Sequence, residues 1–219
     1  MWDADTLQMI GNGLVQTLIM TVLSTFFAYL IGLPLGLLLV VTAKGGISPN
    51  STIHKMLNGI VNILRSVPFL ILLIAIIPFT RLITGTSIGT SATVVPLVVA
   101  SFPFVGRLVE SSINEVDTGI IEAAQSMGAS NRQIILKVMI PESVPSLILG
   151  SAIATTAILG YSAMAGVVGG GGLGDIAIRY GYYRYQNDIM IVTVVLLIVI
   201  VQVVQAIGNR FARVTDNRK

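Results

Sequence analysis

The chain has 219 residues, 54% of them hydrophobic and only 11% charged, where a soluble domain carries roughly 25% charged residues; with a mean hydropathy of +0.88 it reads as an integral membrane protein. The absence of cysteine excludes a disulfide framework and thiol chemistry. A net charge of +3, carried at the ends of apolar runs rather than in one patch, gives no sign of a nucleic-acid partner.

A membrane-spanning helix needs about 20 mostly apolar residues, and the candidates lie at roughly 14–41, 57–78, 91–109, 143–165 and 189–209. The first is too long for a signal peptide and follows Asp3 and Asp5 where a leader would be basic. It holds Gly32-Leu33-Pro34-Leu35-Gly36, a spacing that permits close helix approach but equally suits a proline and two glycines merely tolerated in a membrane helix. In the second, Asn58, Asn62, Arg65 and Ser66 fall on one helical face. An arginine at the centre of a bilayer costs at least ~2.5–3.5 kcal/mol. Arg65 therefore either faces a polar interior or snorkels to the boundary. Glu110 is a possible partner, for which Arg107, three residues before it, competes. The third span, with Pro96 and Pro103, is expected to bend.

Between the third and fourth spans comes a polar stretch, Glu122 to Pro141. Gly128 sits where a C′ glycine would end a helix. Ser130 with Gln133 forms a candidate capping box. The second short helix, Asn131 to Met139, is expected to stop before Pro141. Such an elbow is too polar to cross a bilayer, and suits presentation to another protein. In the fourth span Ser151, Thr155 and Ser162 lie near one face, either lining a path or bridging helices. The run Gly169 to Asp175 matches GxGxxG, but no strand precedes it and no lysine follows, so a dinucleotide site is rejected in favour of a flexible extracellular loop. The tyrosines Tyr180, Tyr182, Tyr183 and Tyr185 after it suit a membrane interface. The fifth span ends in a basic tail, 207–219.

The balance of lysine and arginine orients the chain. With the N-terminus outside, Lys44, Lys55, Arg107, Arg132, Lys137, Arg210, Arg213, Arg218 and Lys219 are cytoplasmic and only Arg81, Arg179 and Arg184 are outside. The elbow is then cytoplasmic.

Glu122-Ala123-Ala124, Gly128 four residues later and the Val138-Met139-Ile140-Pro141 close resemble the EAA loop of bacterial ABC importer permeases; Ile140 stands where that family often has leucine. Arg65 to Phe69 is similar to a stretch of amino-acid permeases, and Gly160 to Tyr185 resembles the methionine-importer permease family. The resemblance covers about Gly13 to Ala206. It implies an all-α integral membrane protein of the type I ABC importer permease fold, with about five transmembrane helices in a domain 13–206 and cytoplasmic coupling helices at 119–139. It also implies a function, uptake of methionine, D- and L-, across the cytoplasmic membrane. Glu122, Ala123, Ala124, Gly128, Ala129 and Pro141 would couple to the ATPase, and Tyr161, Ser162, Met164, Arg65 and Asn62 would line the path or gate. The implied partners are a second copy of the chain, two ATP-binding subunits carrying ATP and Mg, an extracytoplasmic binding protein and membrane lipid.

No GxxxxGK[ST] occurs, and His54 is the single histidine, so neither ATP hydrolysis nor a zinc site is expected of this chain. It is read as a transport subunit, not an enzyme. The alternatives are a permease for another small amino acid, or a stand-alone channel or secondary transporter. The last would call for ionisable pairs inside several spans, whereas only Arg65 qualifies.

Overall fold

The computed structural model of the chain describes residues 3–216, which form helices and no strand; Arg218 and Lys219 of the expected tail lie outside the described residues. Helix α1 (Ala4–Thr42) is started by Asp3, whose carboxylate accepts from the Thr6 N–H at 3.0 Å. At 1.5 Å per residue its 39 residues reach roughly 58 Å, about twice the hydrocarbon core of a bilayer. Pro34 lies inside it without ending it.

Helix α5 (Thr90–Ile113) packs along α1. A Cβ on Gly32 would lie 2.7 Å from a Val105 methyl, and one on Gly36 would lie 2.6 Å from the Gly106 carbonyl oxygen. Of the two readings of the Gly32–Gly36 spacing, close approach is the one that holds. Gly32 meets Phe102 and Val105 while Gly36 meets Gly106 and Val109, so α1 and α5 run parallel. The chain between them must therefore cross back once. α5 is uninterrupted, with Pro96 and Pro103 buried inside it.

That return corrects the expected single helix over 57–78. Helix α2 (Ser51–Ser66) and helix α3 (Phe69–Ala75) meet at 100°, and helix α4 (Ile77–Thr84) completes the passage. The cause is Pro68: Val67 before it is driven to an extended conformation, φ −83 and ψ 124, and Pro68 has no N–H to donate. α2 starts earlier than expected because Asn50 caps it, accepting from the Ile53 N–H at 3.1 Å.

Helix α6 (Thr118–Ser126) and helix α7 (Asn131–Ile134) form the elbow. The expected stop before Pro141 does not occur. α7 passes through a π turn (Ile135–Met139) into helix α8 (Ile140–Ala165), giving one helical run from Asn131 to Val168. A proline inside a helix collides with the carbonyl four residues back. The wider π register, with the Ile140 N–H bonded to the Ile135 carbonyl, accommodates Pro141 without a break. α8 is antiparallel to α5: Ser146 bonds Ser112 at 3.1 Å and Gly150 lies beside Leu108.

The glycine run is corrected too. After a 3-10 turn (Gly166–Val168), helix α9 (Gly172–Ile176) packs against α1 and a π turn (Ala177–Tyr182) follows against the next helix, and Gly172 to Ile176 are all buried. The glycines serve contact rather than flexibility. A Cβ on Gly174 would fall 2.3 Å from the Ala163 carbonyl, and one on Gly172 2.6 Å from Thr17 Oγ1, where φ is also +80. Helix α10 (Asn187–Thr215) starts beside this segment, with Met190 over Gly181, and runs past Ala152 at Gly208. It takes in most of the expected tail. The start of α1 and the end of α10 thus lie at opposite ends of the bundle, and the core joins α1, α5, the elbow and α8 through Val40, Val109, Ala124, Met139 and Ile158. Outward faces such as Val22, Phe26, Leu30, Ile191 and Ile198 are exposed and apolar, as lipid contact requires.

Candidate functional site

The elbow is built from local rules. Asp117 accepts from the Gly119 N–H at 2.6 Å and starts α6. Its end is a Schellman motif: the Ala129 N–H bonds the Ala124 carbonyl at 3.1 Å and the Gly128 N–H bonds the Gln125 carbonyl at 2.9 Å. Gly128 has φ +79 with open space around it, so backbone handedness, not crowding, demands glycine. The expected capping box is present: the Ser130 N–H donates to Gln133 Oε1 at 2.8 Å while Ser130 Oγ accepts from the Gln133 N–H at 3.4 Å.

The six coupling candidates divide by burial. Ala124 is buried and Ala129 packs against the same core; together with Gly128 they hold the elbow's shape. Glu122, Ala123 and Pro141 are exposed. Glu122 also borders a cavity of about 350 Å³ shared with Gly45, Gly46 and Ile47 of the loop after α1 and with Asn114 and Val116. Ile120, Met127 and Leu136 of the elbow are also exposed and apolar.

The path candidates do not form one site. Tyr161 and Arg65 line the same cavity, and Tyr161 stacks on Phe69 with ring centroids 4.7 Å apart and planes at 15°. Ser162 is buried and donates to the Leu159 carbonyl within its own helix; Ser151 and Thr155 do likewise, to Ile148 and Ser151. Met164 is exposed. Asn62 accepts from Arg107 Nη2 at 2.8 Å. The expectation of Glu110 as a partner for Arg65 is overturned, because Glu110 pairs with Arg107 at 2.6 Å. The reason is proximity on one helix, where residues three apart are neighbours.

Two features lay beyond the sequence reading. Phe69, the aromatic partner of Tyr161, follows the Pro68 break, and that break was the available signal. Gln16 and Thr17 anchor the glycine run: Gln16 Oε1 accepts from the Gly172 N–H and Thr17 Oγ1 from the Leu173 N–H, each at 2.8 Å. A glutamine and a threonine side by side in an apolar span were the hint. No cluster of three or more metal-ligating side chains occurs among the described residues.

Residues 32–219 match the family model described as a binding-protein-dependent transport system inner membrane component. The chain belongs to that family. This permease is 50% identical over 217 residues to the "Probable D-methionine transport system permease protein MetI" of Vibrio cholerae, covering 99% of the permease and 96% of that protein. It is 44% identical to the "Methionine import system permease protein MetP" of Bacillus subtilis over 181 residues, 83% of the permease and 82% of that protein. Among solved structures, it superposes on a chain of the MetNI methionine ABC transporter in an inward-facing conformation with a TM-score of 0.97 and 44% identity, covering 99% of the permease and 100% of that chain.

Proposed function

We propose that this permease imports methionine across the cytoplasmic membrane by alternating access, as a pair of copies served by two ATP-binding subunits and an extracytoplasmic binding protein. ATP and Mg belong to the ATP-binding subunits. The N-terminus lies outside and the elbow and C-terminus inside, in keeping with the basic residues clustered at the elbow end of the bundle and with the start of α1 and the end of α10 on opposite sides.

The observation that carries the reading is the elbow's continuity with α8. A helix transmits force when it is unbroken, and from Asn131 to Val168 there is no joint. α6 is held to α7 by the Schellman turn and the capping box, so the elbow moves as one piece. A partner that grips Glu122, Ala123 and the apolar side chains Ile120, Met127 and Leu136 would swing α8, and α8 carries Tyr161 and Ser162 at its far end. Closure of two ATP-binding subunits would draw two such elbows together and tilt the spans from inward-open to outward-open. The relatives' names and the inward-facing structure supply the substrate class.

The test is uptake of labelled methionine by vesicles. With the ATP-binding subunits, binding protein and internal ATP, uptake is expected to be ATP-dependent. The permease alone is expected to transport nothing. Uptake by the permease alone under an ion gradient would refute the assignment.

A further inference from the structure

One exposed cation of α2, Arg65, stands beside a cavity without a partner among the described residues. Its neighbours His54, Asn58, Asn62 and Ser66 on the polar face of α2 are engaged. His54 Nδ1 meets the Leu39 carbonyl at 3.0 Å and its Nε2 meets Asn58 Nδ2 at 2.7 Å. Asn62 accepts from Arg107, and Ser66 donates to the Asn62 carbonyl at 2.7 Å. Arg107 is in turn bound to Glu110. Arg65 makes no ion pair and no side-chain hydrogen bond among the described residues. It stands at the edge of a cavity of about 230 Å³ formed where α2 breaks toward α3, walled by Leu64, Phe69, Ala100, Phe104 and Tyr161. The Phe69–Tyr161 stack makes one wall flat and aromatic.

The chemistry of that cavity selects its occupant. A guanidinium has five donors, no acceptor and a permanent charge, so the group it holds is an anion, and a planar carboxylate fits its fork in two parallel bonds. The remaining walls are aliphatic and aromatic. A thioether is at home against such rings. No acidic side chain lines the cavity, so nothing there from this chain answers an ammonium group. We propose that this cavity is a station for the transported amino acid within the membrane, with Arg65 gripping the α-carboxylate and the Phe69–Tyr161 stack receiving the apolar side chain. The proposal rests on the reading of the chain as a methionine permease. It makes Arg65 a substrate-binding residue, distinct from its neighbour Arg107, which ties α2 to α5. A phospholipid phosphate could also meet a guanidinium, and a cation in the last turn of α2 also suits the helix dipole. The experiment separates these roles.

Labelled L-methionine is added to the purified, nucleotide-free complex of permease and ATP-binding subunits, with no binding protein present, and equilibrium binding is measured. The wild-type complex is expected to bind saturably. Unlabelled methionine should compete, while methioninamide, which keeps the side chain and lacks the anion, should compete at least tenfold more weakly. Arg65→Met should weaken binding tenfold or more. Arg65→Lys, which keeps the charge and loses the fork, should fall between. Binding by Arg65→Met at the wild-type level, as a lipid or dipole role would give, overturns the proposal. So does equal competition by methioninamide, or no saturable binding to the wild type. The methioninamide arm uses only wild-type protein, so a variant that fails to assemble does not void the test. Failure of ATP-driven uptake by the wild-type assembly would sink the proposed function itself. Intact uptake with unchanged binding by Arg65→Met sinks only the role of Arg65.

Discussion

Replacing Gly36 by alanine tests whether the α1–α5 contact is as tight as the geometry says. The new Cβ would sit 2.6 Å from the Gly106 carbonyl oxygen and 2.6 Å from the Val109 Cβ, whereas ordinary contact begins at 3.4 Å. Neither neighbour is the end of a flexible side chain, so the helices must part by about 0.8 Å, an overpacking that costs about 1–3 kcal/mol. Gly11, on the same helix, has nothing within 4 Å of the corresponding Cβ position. There alanine relieves the entropic penalty of a helical glycine and should stabilise by roughly 0.5–1 kcal/mol. Unfolding of the two variants in mixed detergent micelles, followed by circular dichroism, should move their midpoints in opposite directions. Equal shifts of the same sign would refute the packing argument, because intrinsic helix propensity alone favours alanine at both sites.

At the elbow, Gly128→Val places a branched side chain at φ +79 and should cost about 1–2 kcal/mol, abolishing ATP-coupled uptake while membrane insertion persists; Gly128→Asn, better suited to that conformation, should retain more uptake. Ser130→Ala removes one half of the capping box and should lower stability by about 1 kcal/mol, seen as weaker co-purification of the ATP-binding subunits. Thr17→Val is nearly isosteric but strands the buried Leu173 N–H, with an expected loss of about 1–3 kcal/mol, while Thr17→Ser should stay near wild type by thermal denaturation. The Thr6 hydroxyl and N–H hold the Asp3 carboxyl below its ordinary 3.8. A depressed carboxylate pKa stabilises above the ordinary value and loses that contribution as pH falls through the folded value. Hydrogen exchange in the first turn of α1 should therefore quicken only below about pH 3.8, and Asp3→Asn should remove that dependence.

The legibility of the fold tracks the range of the interactions concerned. The elbow could be read from sequence because the Gly128 turn and the Ser130–Gln133 box are settled within a few residues. Pro141 misled for the same reason. Local rules predict a stop, but the helix gains enough from burying Ile134 and Met139 to pass through a π turn instead. The break at Pro68 carried a local signal, masked by the unbroken apolar composition on either side. The glycine run could not be read correctly. Glycine is chosen both for freedom and for close contact, and the partners that decide between them, Gln16, Thr17 and Ala163, lie far away in sequence. Arg65 was recognisable as costly, but its lack of a partner depended on Arg107 occupying both Asn62 and Glu110.

The hydrogen bonds from Gly172 and Leu173 back to Gln16 and Thr17 bridge 156 positions of sequence. A ribosome adding ~5–20 residues each second therefore delivers the second half of this clasp roughly 8–30 seconds after the first. Throughout that interval the first helix holds a carboxamide and a hydroxyl whose final partners do not yet exist. Biogenesis of this protein thus includes a waiting stage, during which the Thr17 hydroxyl can donate to the Gly13 carbonyl of its own helix, while water, the insertion machinery or a provisional neighbour must shelter the Gln16 carboxamide. Truncation before residue 172 leaves the stage permanent.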